Sequence, residues 1–469
     1  METPQKYITA EMKVLLIACC AGVFMMPFMS TMMNLALPSI ESEFHVGSKA
    51  LSLVLMVFLL ASVTVMVPLA RTSDIIGRKK IFIAGVATTL AGALIGILSP
   101  SFEILLVSRF VMGAGSAALS VSSVAMLTDA FPLEKRGLAI GIQSTFIYVG
   151  IALGPPVGGF ICDHFEWRYL FLFMIPIAIF ALIFILRYKK ETRSDAWKTM
   201  DYRGALIYGA TIMTTMIGVI NLPNIWAIAM IAVGLVMLLF FIRTMKRTNS
   251  PILEISIFKH RVFSRACIAA YMNYAASHSV GFFMSLYLVN LAGLSQSEAG
   301  MILLIQPLFQ VFLTALFGSI SDHIRDKRIL PTAGMTIICV GVLMIMFLKI
   351  EYNMFYVIAL LTLLGIGYGM FAAPNTNAVM SALPPKNRGE ASAMIALVRQ
   401  IGMMTSVGIA GCCIVLIMGS ADNLTDPDTW ESFIRVIQTA FAICLAMCIV
   451  GTFFSWFRGD TPKKKDARV

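Results

Sequence analysis

Apolar residues dominate fourteen stretches of this chain, at 14–38, 51–70, 79–98, 103–127, 138–162, 168–187, 204–221, 225–242, 264–291, 298–320, 329–348, 353–376, 390–418 and 436–457, and polar residues gather between them. Each run has about the 20 residues that a helix needs to cross a hydrocarbon core of roughly 30 Å. The pattern predicts an all-α polytopic membrane protein with fourteen transmembrane helices. The seventh and eighth runs are short and joined by Asn221-Leu-Pro-Asn224. The first is too long for a signal-peptide core and no small-residue cleavage site follows it, so it is expected to remain as a helix.

Composition agrees. Of 469 residues 58% are hydrophobic and 13% charged, against roughly a quarter charged in soluble domains, so the chain lacks the polar side chains to cover its own apolar surface. The net charge of +11 raises the question of nucleic acid, and the positions of the cations answer it. Threading the fourteen runs puts 30 of the 36 Lys and Arg on one side, leaves Lys49, Arg168, Lys349 and Arg435 on the other, and places Arg109 and Arg399 inside runs. The positive-inside rule then puts both termini in the cytoplasm of a multi-pass cell-membrane protein, with lipid as its surroundings and no nucleic-acid partner. The nine cysteines are odd in number and nearly all within runs, which gives no disulfide framework.

The two ends of the chain resemble each other. Phe131-Pro-Leu-Glu-Lys-Arg-Gly137 matches Leu383-Pro-Pro-Lys-Asn-Arg-Gly389, and Arg71-Thr-Ser-Asp74 with Arg78-Lys79-Lys80 matches Ser319-Ile-Ser-Asp322 with Arg325 to Arg328. Runs 1 to 6 and 9 to 14 therefore look like parallel repeats with two helices inserted, giving an N-terminal six-helix bundle at 1–190, inserted helices and linkers at 191–262, and a C-terminal bundle with a basic tail at 263–469. Transporters build binding sites between such repeats. The segment 243–265 mixes cations with Ile252, Leu253, Ile255, Ile257 and Phe258, a composition expected of an amphipathic segment on the inner leaflet.

Two motifs carry a family resemblance. After the second run stands Ala70-Arg-Thr-Ser-Asp74-Ile-Ile-Gly77-Arg78-Lys79: Gly77 permits a tight turn, Asp74 can face a helix N-terminus, and the cations can anchor the loop at the membrane. In the fifth run Gly141 is followed by Gly150, Gly154, Pro155 and Gly158, the last three glycines forming a strip on which another helix can approach backbone to backbone. Small-residue packing without a role in transport is the alternative for that strip. These residues resemble the major facilitator superfamily, whose loop pattern is Gly-x-Leu-Ala-Asp-x-x-Gly-Arg-Lys and whose antiporter signature lies in helix 5; the fourteen-helix layout is similar to its drug:proton antiporters of the EmrB/QacA type. The resemblance implies that fold, with two six-helix bundles plus two inserted helices, and implies conformational roles for Asp74, Gly77, Arg78, Gly150, Gly154, Pro155, Gly158 and, in the second copy, Asp322.

In one respect the chain departs from that group. Its drug antiporters typically carry an acid in helix 1, in a pattern like Leu-Asp-x-Thr-Ile-Val-Asn-x-Ala-Leu-Pro, where this chain reads Phe28-Met29-Ser-Thr31-Met-Met-Asn34-Leu-Ala-Leu-Pro38. Met29 stands in place of the acid, and none of the 25 Asp and Glu lies deep in a run. Other polar residues remain for a substrate or proton pathway. Besides Asn34 they are Arg109, which resembles the buried arginine of the family's helix 4, Arg399, and the stripe Tyr271, Tyr274, His278 at i, i+3 and i+7. Snorkelling of Arg109 and a neutral, hydrogen-bonded His278 are the plainer readings. Asn375, Asn377, Gln306 and Gln310 serve either a substrate or neighbouring helices.

The expected function is secondary-active export of amphipathic organic compounds by alternating access, multidrug-efflux-like, with a small-molecule substrate and proton antiport. The alternatives are a dedicated exporter of an anionic metabolite or lipid, suggested by two membrane arginines without a membrane acid, and a non-transporting sensor on a transporter scaffold. No Walker loop, zinc-ligand spacing or nucleophile elbow occurs, so neither an enzyme nor a cofactor or metal site is expected.

Overall fold

The computed structural model describes residues 9–191, 200–248, 251–324, 326–383, 388–419 and 427–459; within them the side chains at 133, 134, 322, 323, 388–390 and 392 lie outside the description. The described residues form sixteen α-helices and no strand. The first eight are α1 (Ala10–Phe44), α2 (Ser48–Ile76), α3 (Arg78–Ile97), α4 (Phe102–Ala130), α5 (Leu133–His164), α6 (Tyr169–Arg187), α7 (Tyr202–Ile220) and α8 (Ile225–Met245). Then come α9 (Arg261–Ser277), α10 (Ser279–Leu286), α11 (Gln296–Leu303), α12 (Ile305–His323), α13 (Ile329–Ile345), α14 (Met354–Ser381), α15 (Arg388–Ile417) and α16 (Trp430–Trp456).

Twelve helical stretches among the described residues are long and apolar enough to cross a membrane. The two remaining runs fall short for physical reasons. The ninth is broken at His278 into α9 and α10 and ends in one π turn, Tyr287–Leu291, and the eleventh is the shorter apolar helix Ile329–Ile345. Helix starts are set locally, since Thr9, Ser101, Asp201 and Asn353 each accept a hydrogen bond from a first-turn N–H, and Ser295 with Glu298 closes a full capping box on α11.

Two groups of helices result. In the first, α1 packs on α5 and α6, α2 on α4, and α3 on α4 and α6; in the second, α9 packs on α15 and α16, α12 on α14, and α13 on α14 and α16. The groups meet where α5 touches α11 and α12, α2 touches α15, and α1 touches α10. In α2, 72% of the most apolar window is buried, against 17% in α8, so α2 is central and α8 presents apolar side chains such as Leu235, Val236, Leu239 and Phe240 outward, as a lipid-facing helix does. The α7–α8 hairpin attaches through α7, whose Tyr208 hydroxyl donates to the Val63 carbonyl of α2 at 2.8 Å.

The segment after α8 corrects an expectation. Ile252, Leu253 and Ile255 pack against a core cluster that also contains α7, α8 and α9 residues, and Ile257 is buried in it. Its apolar side chains therefore pack on protein rather than on a leaflet; only Phe258 of that set is exposed.

Candidate functional site

Gly77 joins α2 to α3 with φ of 128°, a conformation that side chains disfavour, and a Cβ there would meet the Glu191 carboxylate at 2.7 Å. The cations of this loop are engaged within the protein. Arg78 donates from Nε and Nη2 to Asp74 at 3.0 and 2.8 Å, donates to the Ala125 carbonyl at 3.2 Å and pairs with Asp129, while the Lys79 Nζ donates to the Tyr188 carbonyl at 2.5 Å. Asp74 thus engages a guanidinium at the start of α3, and the loop ties α2, α3, α4 and the end of α6 together. In the second copy the backbone of Asp322 lies near the end of α12, its side chain being outside the description. There Arg328 pairs with Asp326 at 2.9 Å, and its guanidinium holds that carboxyl below the ordinary carboxylate range.

The glycine strip of α5 lies on α1. A Cβ built on Gly150 would stand 2.9 Å from the Phe24 carbonyl oxygen, one on Gly158 2.8 Å from the Met32 Cα, and one on Gly154 would run into the Thr31 hydroxyl. Gly141 faces open space. The close approach is inside the first group. Contact with the second group uses the neighbouring face of α5, where Gly159 abuts the Gln296 carbonyl and the Pro155 carbonyl abuts Gly300 of α11.

At that same end Asp163 clasps the N-terminus of α11. Its Oδ1 accepts from the Gln296 N–H and its Oδ2 from the Ser297 N–H, both at 2.9 Å, and the Gln296 Nε2 donates to the Ser39 hydroxyl of α1 at 2.7 Å. A carboxylate there satisfies first-turn donors that no helical partner reaches and meets the positive end of the helix dipole. Deeper in, a Cβ on Gly411 of α15 would stand 3.0 Å from the Ser52 hydroxyl of α2. These contacts all lie toward the end opposite the one where α1 begins and α16 ends.

Further polar and aromatic side chains lie along the region between the groups. Asn34 of α1 approaches α10 so closely that a Cβ on Gly281 would stand 2.8 Å from its Nδ2. His278 is half-buried at the α9–α10 break. Tyr274 packs on Gly402 of α15, and Tyr148 of α5 is close enough to Tyr274 and Arg399 to interact electrostatically across the interface. Other candidates point elsewhere. Tyr271 hydrogen-bonds Thr405 at 3.2 Å within the second group, Asn375 donates to the Ala266 carbonyl, and Asn377 donates to Ser321. Arg109 is fully buried inside the first group, its Nε donating to the Val54 carbonyl at 3.0 Å and its guanidinium 4.5 Å from the Phe58 ring centroid, so it neither snorkels nor faces the other group. Met29 packs around a narrow apolar gap with Met25, Met26, Phe58, Met112 and Met174, also inside the first group.

The sequence matches the Major Facilitator Superfamily over residues 19–407, and again over 266–468. The chain belongs to that superfamily. It is 25% identical over 445 residues to the riboflavin transporter RibZ of Clostridioides difficile, covering 95% of this chain and 97% of that one. It is 27% identical to the multidrug resistance protein Stp of Mycobacterium tuberculosis (84% and 74% covered) and 25% identical to the multidrug efflux pump LfrA of Mycolicibacterium smegmatis (81% and 77%). In fold it is similar to a bacterial homologue of the human lysosomal transporter Spinster, with a TM-score of 0.70 at 16% identity over 96% of this chain and 97% of that one. This superfamily member is a multi-pass membrane transporter and not an enzyme. Residues that the motifs did not single out, Asp163, Gly159, Gln296, Gly300 and Tyr148, form much of the interface; for these the readable signal was the Ser295-x-x-Glu298 pattern that starts α11.

Proposed function

We propose that this transporter exports amphipathic organic compounds from the cytoplasm by alternating access, coupled to proton antiport, on a fourteen-crossing frame of the EmrB/QacA type. In this reading 1–190 and 263–469 are two six-helix bundles that rock about the polar region between them, and 191–262 carries the inserted pair α7 and α8. The observation that carries it is the arrangement of polar and aromatic side chains between the groups, with Tyr148, Tyr274 and Arg399 near the middle of the bundle, Asn34 against Gly281 nearer one end, and hydrogen bonds from Asp163 and Gln296 between the groups at that end. The bias of 30 basic residues to the other side puts both termini in the cytoplasm of a cell-membrane protein and the Asp163 clasp outside. Two relatives bear efflux or resistance names, which supports the outward direction.

For coupling, His278 is the candidate, because no Asp or Glu occupies the middle of a helix. The Asp74–Gly77–Arg78 loop, with Asp322 in the second copy, and the Gly150–Gly154–Pro155–Gly158 face would keep each bundle rigid as it rocks. The deciding experiment uses proteoliposomes with imposed proton or potential gradients and cationic, neutral and anionic dyes. Export that responds to the proton gradient supports the reading. Facilitated movement indifferent to the proton gradient removes antiport, and movement of no compound removes transport of these classes.

A further inference from the structure

Arg399 is the twelfth residue of the thirty in α15, Tyr274 the fourteenth of the seventeen in α9, which continues into α10, and Tyr148 the sixteenth of the thirty-two in α5. All three lie well inside the bilayer. A guanidinium at that depth is costly unless it meets a counter-charge, a carbonyl or water. Arg109 meets that demand in part with a carbonyl and a ring inside its own group. Arg399 differs, since it makes no hydrogen bond or ion pair among the described residues and its buried Nε is without a partner, while the side chain as a whole is only half-buried.

Its position is fixed from two sides. On α15, Gly402 is one turn further on, and a Cβ there would stand 2.8 Å from the Tyr271 carbonyl and 3.0 Å from the Tyr274 Cβ, so this stretch of α15 is seated on α9. On α5, Tyr148 precedes Pro155 and Gly159 by seven and eleven residues, the helical spacing of one face, and both of those touch α11. Tyr148 therefore faces the second group, within electrostatic range of Tyr274 and Arg399. A phenol from each group and one unpartnered cation thus share this part of the interface, and no carboxylate of the sequence lies at this depth.

We propose that Arg399 receives the anionic group of a planar aromatic substrate whose ring system lies against Tyr148 and Tyr274. A guanidinium takes a carboxylate or phosphate through paired N–H donors, and aromatic rings stack favourably on phenols. Because Tyr148 belongs to one group and Tyr274 and Arg399 to the other, such a substrate binds both at once. The site disfavours permanent cations. This inference rests on the interface being the transport pathway.

The test uses the purified full chain in nanodiscs for binding and in proteoliposomes for transport, with riboflavin 5′-phosphate and carboxyfluorescein as phosphate and carboxylate anions, riboflavin as the neutral partner of the first, and rhodamine 123 as the cation. The expected result is binding of at least one anion that Arg399→Gln weakens about tenfold or more, the loss expected for charge-assisted hydrogen bonds, and that Arg399→Lys weakens less. Tyr148→Leu, which leaves Arg399 in place, should weaken the anions without creating cation binding. Anion binding equal in the wild type and Arg399→Gln overturns the proposal, as does binding of rhodamine 123 alone or of no anion at all. Should Arg399→Gln fail to fold, anion binding unchanged in Arg399→Lys and Tyr148→Leu overturns it equally. Arg399-dependent binding without movement of any probe supports the site while removing the export reading, so the two failures are distinguishable.

Discussion

Replacing Gln296 by proline should loosen the end of the molecule that Asp163 closes. Gln296 is the first residue of α11, a position where proline is favoured because its fixed φ suits the helix and no helical partner is lost. Ser295 before it has ψ of 157°, the extended conformation that a residue preceding proline requires. The substitution removes the Gln296 N–H bond to Asp163 and the Nε2 bond to Ser39 while the Ser297 N–H bond to Asp163 remains. A hydrogen bond to a charged group contributes about 1.5–3 kcal/mol and a neutral one about 0.5–1.5. Because Asp163 is exposed to solvent, the lower end of the combined range applies, about 2 kcal/mol, or roughly a 30-fold shift toward opening. Gln296→Ala, which loses only the Ser39 bond, should shift it by about 1 kcal/mol or less. Cys162, half-buried beside the clasp, reports the change through its labelling rate with an impermeant maleimide, read by peptide mass. The carboxylate next to Cys162 is retained in both variants, so thiol reactivity itself is not altered by a lost charge. The expected order is wild type, then Gln296→Ala, then Gln296→Pro. Labelling of Gln296→Pro no faster than that of Gln296→Ala would refute the backbone clasp as a closing element.

Further outcomes follow from the same contacts. Gly158→Ala should lower the thermal stability of the purified protein, since its Cβ would press on the Met32 backbone and overpacking costs about 1–3 kcal/mol; Gly141→Ala, facing open space, should leave the melting temperature unchanged. Asp129→Asn should destabilise the termini end by weakening one of the two carboxylate contacts of Arg78, seen as faster proteolysis between α2 and α3. His278→Gln should preserve ligand binding and abolish proton-driven export in proteoliposomes, and undiminished uphill transport by that variant would remove the histidine from coupling.

Much of the fold was legible because apolar length and charge asymmetry act along the chain, without knowledge of neighbours. The runs at 14–38 and 51–70 became α1 and α2 with longer ends, as caps and loop contacts extend helices beyond the hydrocarbon. The break at His278 was not legible, since nothing in Ser277-His278-Ser279 disfavours a helix as proline would. Its hydrogen bonds show the reason: the Ser279 N–H is taken by the Ser406 hydroxyl of α15 at 2.9 Å, a partner distant in sequence. The glycine strip was visible by spacing, but spacing does not say which helix it meets, and the partner proved to be α1. Arg109 and Tyr271 likewise carried the right chemistry on faces whose direction only packing decides.

The two carboxylate clamps differ in what they join, and the difference bears on how such a molecule moves. Asp74 and Asp129 converge on Arg78 and hold α2, α3 and α4 to one another, all within the first group, so a rigid-body rotation of that group leaves these bonds intact. Asp163 joins α5 to α11, across the groups, so the same rotation must break its bonds. The glycine contacts divide in the same way: Gly150, Gly154 and Gly158 lock α5 to α1, whereas Gly159 and Gly300 let α5 and α11 meet. On one helix, therefore, one face is built to stay closed and the other to part. Under the proposed rocking, α5 carries the motion as a strut fixed to α1, and substitutions on its α1 face should act on stability while those on its α11 face act on the balance between states. A Gly159→Ala variant that melts like the wild type yet labels faster at Cys162 would display that division; one that melts early without faster labelling would show that both faces serve packing alone.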